Sequence, residues 1–135
     1  GIIKEILTDK SSTLTCLDNW DPIALNGAFE DDYETNFDNN TQPYIDQIVK
    51  VKSDSIIWLN NNQDKKFDFI YIDGLQTYDQ IKKDIRNYFP IINKGGFIGG
   101  HDFHKNWQGV IDGILETIGI PNETFKDTSW IKQVK

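Results

Sequence analysis

Four aspartates and one histidine in this 135-residue chain stand where polar side chains do chemistry in layered α/β folds. Asp73 and Asp102 follow two apolar or glycine-rich runs, Phe67-Asp68-Phe69-Ile70-Tyr71-Ile72 and Phe97-Ile98-Gly99-Gly100. Two carboxylates at the mouths of neighbouring parallel strands can bind a hard divalent cation, which takes oxygen ligands and keeps several waters. His101 adjoins Asp102 and is a candidate third ligand, or a proton acceptor near neutral pH. Successive strand residues face opposite sides, so His101 and Asp102 share a direction only if the strand has ended before them. The alternative is that both aspartates merely begin loops.

Asp18 follows the short apolar run Leu14-Thr15-Cys16-Leu17. An acid there can accept hydrogen bonds from both hydroxyls of a ribose, or it can cap the next turn. Asp54 is an adenine-side contact or a helix cap, the cap being the simpler reading. His104 reads as a solvated loop residue. Trp20 and Trp107 are candidates to line a crevice, or core aromatics.

The elements that must carry these residues alternate between strand and helix. Ile2, Ile3, Ile6 and Leu7 share one helical face, and Leu14 to Leu17 reads as a strand. Asp21 to about Gln42 shows no sustained period, so residues 21–43 read as a lid or mobile loop. Ile48-Val49-Lys50-Val51-Lys52 alternates like a sheet-edge strand, and Ser53 or Asp54 can cap a short helix bearing Ile56, Ile57 and Leu59. Phe67 to Ile72 reads as a central parallel strand. Tyr78, Ile81, Ile85, Tyr88 and Phe89 repeat at helical spacing up to Pro90. Asn93-Lys94-Gly95-Gly96 reads as a turn before the strand Phe97–Gly100. Val110, Ile111, Ile114, Leu115 and Ile118 mark a last helix, and Thr124 to Val134 can close a hairpin around Asp127-Thr128-Ser129. This order predicts one α/β domain over 1–135, with ligands beyond the carboxyl ends of its strands.

Composition narrows the partners. A formal net charge of −7 with scattered lysines argues against nucleic acid, which needs a basic stripe. No apolar run reaches membrane-spanning length. The single cysteine, Cys16, forms no internal disulfide and leads to the expectation of a reducing, cytoplasmic setting. The Asn-x-Thr sites at Asn39 and Asn122 read as chance in an Asn-rich chain. With no methionine, and no cap before Ile2, the chain is expected to begin inside a domain.

Phe67 to Gly74, then Tyr78, Asp84 and the run Lys94 to Phe103, resemble class I S-adenosylmethionine-dependent methyltransferases. The resemblance is closest to the group whose fourth strand ends in Asp-Gly-x-His and whose fifth ends in His-Asp or Glu-Asp, including macrolide-sugar O-methyltransferases and cephalosporin hydroxylase-like proteins. It covers most of the chain: Leu14 to Trp20 resembles the second strand, and Asp127-Thr128-Ser129-Trp130 the link between the last two. It implies a Rossmann-like sheet with helices on both faces, lacking its first strand and glycine-rich loop.

Carried over, the resemblance makes Asp18 the ribose-binding acid and Asp54 an adenine-side contact, with Asp73 also on the cofactor side. Asp73, Asp102 and His101 become ligands of a magnesium-type ion that would lower the pKa of a substrate hydroxyl, His101 and Asp73 being the catalytic pair. The implied reaction is methyl transfer to a hydroxyl of a small molecule or sugar, with a possible homodimer covering exposed strand edges. Gln76 stands where the group has its histidine, and glutamine has no useful basicity. Any base is then His101 or a metal-bound hydroxide; otherwise the chain is a non-catalytic binding or assembly module. A nicotinamide-type oxidoreductase would need a Gly-x-Gly-x-x-Gly turn, and no such run is present.

Overall fold

The computed structural model describes Glu5, residues 7–21 and residues 32–135. The expected helix over Ile2 to Leu7 lies mostly outside that range. The chain divides into two compact units, Gly1–Trp58 and Leu59–Lys135.

In the first unit, β1 (Leu14–Asp18) and β2 (Ile48–Lys52) pair in parallel, with Leu14 opposite Ile48 and Asp18 opposite Lys52. Buried Gln47 fastens the turn ahead of β1, its Nε2 lying 3.2, 2.9 and 3.0 Å from the carbonyls of Leu7, Asp9 and Ser12. One side-chain amide thus holds several backbone acceptors that would otherwise go unpaired.

Tyr33–Thr41 forms a helix, α1, where the sequence predicts loop. Its apolar content is too thin for a periodic signal. Capping and charge define it instead: Asp32 Oδ1 accepts the Thr35 N–H at 3.0 Å. Lys50 of β2 reaches Glu34 and Asp38 at 2.9 and 2.8 Å, and Lys52 reaches Glu34 at 2.7 Å. Residues 22–31, the rest of the expected lid, lie outside the described residues.

The short helix α2 (Ser55–Asn60) starts as expected, with Asp54 Oδ1 accepting the N–H groups of Ile56 and Ile57 at 2.9 and 3.1 Å.

The second unit contains a four-stranded sheet whose strands, from one edge to the other, are β3 (Phe67–Ile72), β4 (Ile92–Gly100), β6 (Trp130–Gln133) and β5 (Glu123–Thr124). β3 (Phe67–Ile72) runs parallel to β4 (Ile92–Gly100), and the helix α3 (Tyr78–Tyr88) connects them. A second helix, α4 (Gln108–Thr117), leads to β5 (Glu123–Thr124) and β6 (Trp130–Gln133), the antiparallel hairpin that the tail predicts. Thr77 caps α3, its Oγ1 accepting the Gln80 N–H at 3.2 Å, and the Pro90 segment ends it in a single 3-10 turn.

The turn expected over Asn93–Gly96 is instead the irregular first half of β4. Phe67 pairs with Ile92 while Phe69 pairs with Phe97, so the extra residues bulge between those two points. Gly95, at φ 84, supplies the left-handed residue that the bulge requires.

Ile72, Ile81, Ile85, Ile98, Val110, Ile114 and Trp130 form the core between this sheet and its two helices. Each such side chain, fully buried, contributes about 1.5–3 kcal/mol. Phe69, Tyr71 and Phe97 lie on the sheet's other side and are exposed. The carboxyl ends of β3 and β4 meet in register, Ile72 beside Gly100, and that register sets Asp73 next to His101.

Candidate functional site

β4 ends at Gly100, and the backbone turns sharply two residues later: Asp102 has φ 61. That left-handed turn lets two sequence neighbours face each other. Nε2 of His101 lies 3.2 Å from Asp102 Oδ2, and Nδ1 lies 3.2 Å from Asp73 Oδ1. The His101 imidazole thus sits between two carboxylates. Both contacts have ion-pair distance rather than hydrogen-bond alignment, and Nδ1 is in addition buried without a hydrogen-bond partner.

The ring stacks against Tyr71, with centroids 6.3 Å apart and planes within 12°. Burial pushes the Tyr71 phenol up, a hydrogen bond with the Ser129 side chain pulls it the other way, and the carboxylates of Asp73, Asp127 and Asp102 add to the rise. Asp127 is held below the usual carboxylate range, first by the Ser129 N–H and side chain, with a smaller contribution from His101.

A second wall comes from the link between β5 and β6. Asp102 N–H donates to Thr128 Oγ1 at 3.3 Å, and Phe103 N–H donates to the Thr128 carbonyl at 3.0 Å. Thr128 is itself left-handed, at φ 71, which is uncommon for a β-branched residue. The sequence reads 127–129 as the turn of a closing hairpin, without a role at the site; the contact of Thr128 with the Asp102 backbone spans 26 positions and has no local signal.

Three buried polar side-chain atoms lack partners among the described residues: Gln76 Oε1, His101 Nδ1 and Trp130 Nε1. Gln76 follows β3, His101 follows β4, and Trp130 pairs with Gly100, so all three gather at one end of the sheet. Native interiors pair nearly all such groups, and orphans collected at strand ends mark a place built for something besides packing. Gln76 spends its Nε2 on the Gly74 carbonyl at 3.0 Å. Behind the same loop lies buried Asp84, whose carboxyl is raised by burial and which accepts from Gln80 Nε2 at 2.8 Å.

The expected metal centre does not fit this arrangement. Asp73 and Asp102 approach different nitrogens of one imidazole, so the ring occupies the place where an ion would meet both carboxylates. Among the described residues, no group of three or more His, Cys, Asp and Glu side chains is arranged to hold a metal ion.

The other candidates are local. In the first unit, Asp18 Oδ1 accepts the Trp20 N–H at 3.0 Å, a turn cap that leaves Oδ2 to accept from another partner. Asp54 is the cap of α2. Trp20, left-handed at φ 47, packs on Phe37 with Lys50 over its ring. In the second unit, His104 Nδ1 accepts the Asn106 N–H at 3.1 Å and Trp107 is exposed. No described helix is long and apolar enough to cross a membrane.

A family model described as a methyltransferase domain matches residues 2–103. No curated protein sequence matches the chain. Among solved structures, the chain is similar to CalS11, a TDP-rhamnose 3'-O-methyltransferase of calicheamicin biosynthesis, with a TM-score of 0.68 and 14% identity over 93% of this chain and 60% of that one. It is also similar to a putative caffeoyl-CoA O-methyltransferase from Staphylococcus aureus, with a TM-score of 0.57 and 15% identity over 96% of this chain and 79% of that one. At these identities the likeness establishes the fold, an α/β Rossmann-like methyltransferase fold. The chain spans 60% of the length of the first of these structures.

Proposed function

The chain belongs to the methyltransferase-domain family, and from that premise we propose that it, or the protein it is part of, transfers a methyl group from S-adenosylmethionine to a hydroxyl of a small molecule. The observation that carries the reading is the His101 imidazole set between Asp73 and Asp102 at the ends of two parallel strands. The two similar structures are, by their descriptions, a TDP-rhamnose 3'-O-methyltransferase and a putative caffeoyl-CoA O-methyltransferase. A sugar or another hydroxylated small molecule is the acceptor class in keeping with them.

S-adenosylmethionine, when bound, supplies a methyl group on a positively charged sulfur. The protein's share is to prepare the acceptor oxygen. The Asp102 carboxylate, 3.2 Å from Nε2, favours the proton on that nitrogen and so leaves the imidazole lone pair on Nδ1. Nδ1 then takes the hydroxyl proton from an acceptor that approaches on the Asp73 side. Asp73, with 68% of its side chain exposed, can turn aside for it and stabilise the imidazolium that forms. Gln76 offers its unpaired Oε1 to orient a donor but cannot serve as base.

In the first unit, Asp18 has a carboxylate oxygen for a ribose hydroxyl, while Asp54, engaged as a cap, is the weaker cofactor-side candidate. A net charge of −7 and a lone free Cys16 suit a cytoplasmic protein of small-molecule partners, not nucleic acid.

The test is calorimetric titration of the folded chain with S-adenosylhomocysteine, followed by labelled methyl transfer to nucleotide-linked sugars and catechols. Binding together with transfer to at least one hydroxylated acceptor is the expected result. A folded chain that neither binds nor transfers overturns the reading.

A further inference from the structure

We infer that Thr128 is a positioning residue for the imidazole site: it holds Asp102 in the left-handed conformation that brings its carboxylate to Nε2 of His101. This rests on the reading of His101 as the base.

An aspartate one residue beyond a histidine reaches back to that histidine only if its own backbone turns. Asp102 does so at φ 61, a region that aspartate enters more readily than most residues but does not favour. Something must therefore hold it there. The two backbone donors around the turn both end on one residue: Asp102 N–H on Thr128 Oγ1 at 3.3 Å, and Phe103 N–H on the Thr128 carbonyl at 3.0 Å. The His104 N–H closes the turn from the other side, on the Asp102 carbonyl at 2.9 Å.

Thr128 can impose this geometry because its own loop is braced. Its N–H donates to the Phe125 carbonyl at 2.9 Å, the Phe125 N–H donates to the Ser129 carbonyl at 2.9 Å, and the Ser129 N–H donates to Asp127 Oδ1 at 3.0 Å. The Ser129 side chain interacts with Tyr71, whose ring stacks on His101. The β5–β6 link therefore reaches the imidazole by two indirect routes: through Thr128 and Asp102 to one nitrogen, and through Ser129 and Tyr71 to the ring. Two left-handed non-glycine residues bonded to each other at a strand mouth are the kind of strain that persists where surrounding structure over-determines it.

Two substitutions separate positioning from plain stability. Thr128→Ser keeps the hydroxyl. Thr128→Gly removes it but relieves the left-handed backbone and keeps the carbonyl that Phe103 uses. A residue important only for folding would be served at least as well by glycine. The positioning role predicts the reverse for chemistry: Thr128→Ser retains methyl transfer within about threefold, while Thr128→Gly loses about tenfold or more in kcat at unchanged KM, with the melting temperature not lowered. Nitrogen NMR of the His101 ring gives an arm independent of turnover. The wild-type Nε2 signal should persist in Thr128→Ser and move in Thr128→Gly.

Equal ring signals and equal kcat in the two variants would overturn the inference. A moved signal in Thr128→Gly, in a chain that transfers no methyl group even as wild type, would leave the positioning role standing and remove the reading of His101 as a methyltransferase base.

Discussion

Nε2 of His101 lies 3.2 Å from Oδ2 of Asp102, although the two are adjacent in sequence and would face opposite sides of a continuing strand. The strand stops at Gly100, and the left-handed turn at Asp102 folds the carboxylate back toward the ring. This local reversal converts a His-Asp dipeptide into a charge-backed imidazole, with Asp73 on the other nitrogen.

Replacing His101 with Gln should lower methyl transfer by about 10²–10⁴-fold, the usual worth of a positioned general base. Cofactor affinity, measured by calorimetry with S-adenosylhomocysteine, should stay the same. Asp102→Asn tests the backing charge alone, because asparagine also accepts the left-handed backbone. It should cost about tenfold or more in kcat, again with the affinity unmoved. Full activity in His101→Gln would remove the imidazole from the chemistry.

Gln76 stands where the resemblance would place a histidine, and its Nε2 donates to the Gly74 carbonyl at 3.0 Å. If His101 is the base, Gln76→His should change the rate by less than about tenfold in either direction, a smaller change than a general base supplies. Transfer that appears only in the revertant would instead make the native chain a degenerate relative, with position 76 as the true base.

Much of this architecture was legible, and the parts that were not share a cause. Phe67–Ile72 and the helix from Tyr78 read clearly because burial enforces a period on them, as Ile72, Ile81 and Ile85 show in the core. Asp54 was readable as a cap because capping is local. The helix Tyr33–Thr41 was hidden because its apolar content is too thin for a periodic signal and its ion pairs reach out to Lys50 and Lys52 of β2, and the bulged start of β4 because glycines there resemble a turn. Thr128 was invisible as a site residue: its role depends on a contact with Asp102 that only the folded hairpin creates. The direction of the imidazole was hidden for a related reason, since the sequence places two aspartates and a histidine at strand ends but not the way the ring turns between them.

Asp84 predicts a pH dependence of stability. Burial raises its carboxyl above the ordinary 3.8, with Gln80 donating to it in partial opposition. Between the ordinary value and the raised one, the folded state holds a proton that the unfolded chain has released. Stability therefore falls as pH rises through that window, and the contribution is fully present below it. Asp84→Asn keeps an acceptor for Gln80 and has no such slope. Urea unfolding at several pH values should show wild type gaining on the variant as pH is lowered toward 3.8. A difference that stays constant with pH would mean that Asp84 titrates in the fold as it does in the unfolded chain.

Gly113, in the middle of α4, sets two preferences against each other. Alanine is the better helix former by about 1 kcal/mol. A Cβ at this position, however, would stand 2.4 Å from Cγ2 of Ile81 and 3.2 Å from the Tyr78 carbonyl of α3. Ile81 is 2% exposed and β-branched, so it has neither space nor a spare rotamer with which to yield. Overpacking of this kind costs about 1–3 kcal/mol and often more where backbone is also met, so the clash should outweigh the propensity. Gly113→Ala is expected to destabilise the second unit by about 1–2 kcal/mol net in urea unfolding. Ile81→Ala alone should cost about 2–5 kcal/mol through the cavity it leaves. The double variant decides the mechanism: the added methyl would then fill part of that cavity, so the combined loss should be smaller than the sum of the two. Strict additivity would mean that the two helices move apart freely at Gly113, and that their close approach does not depend on the missing side chain.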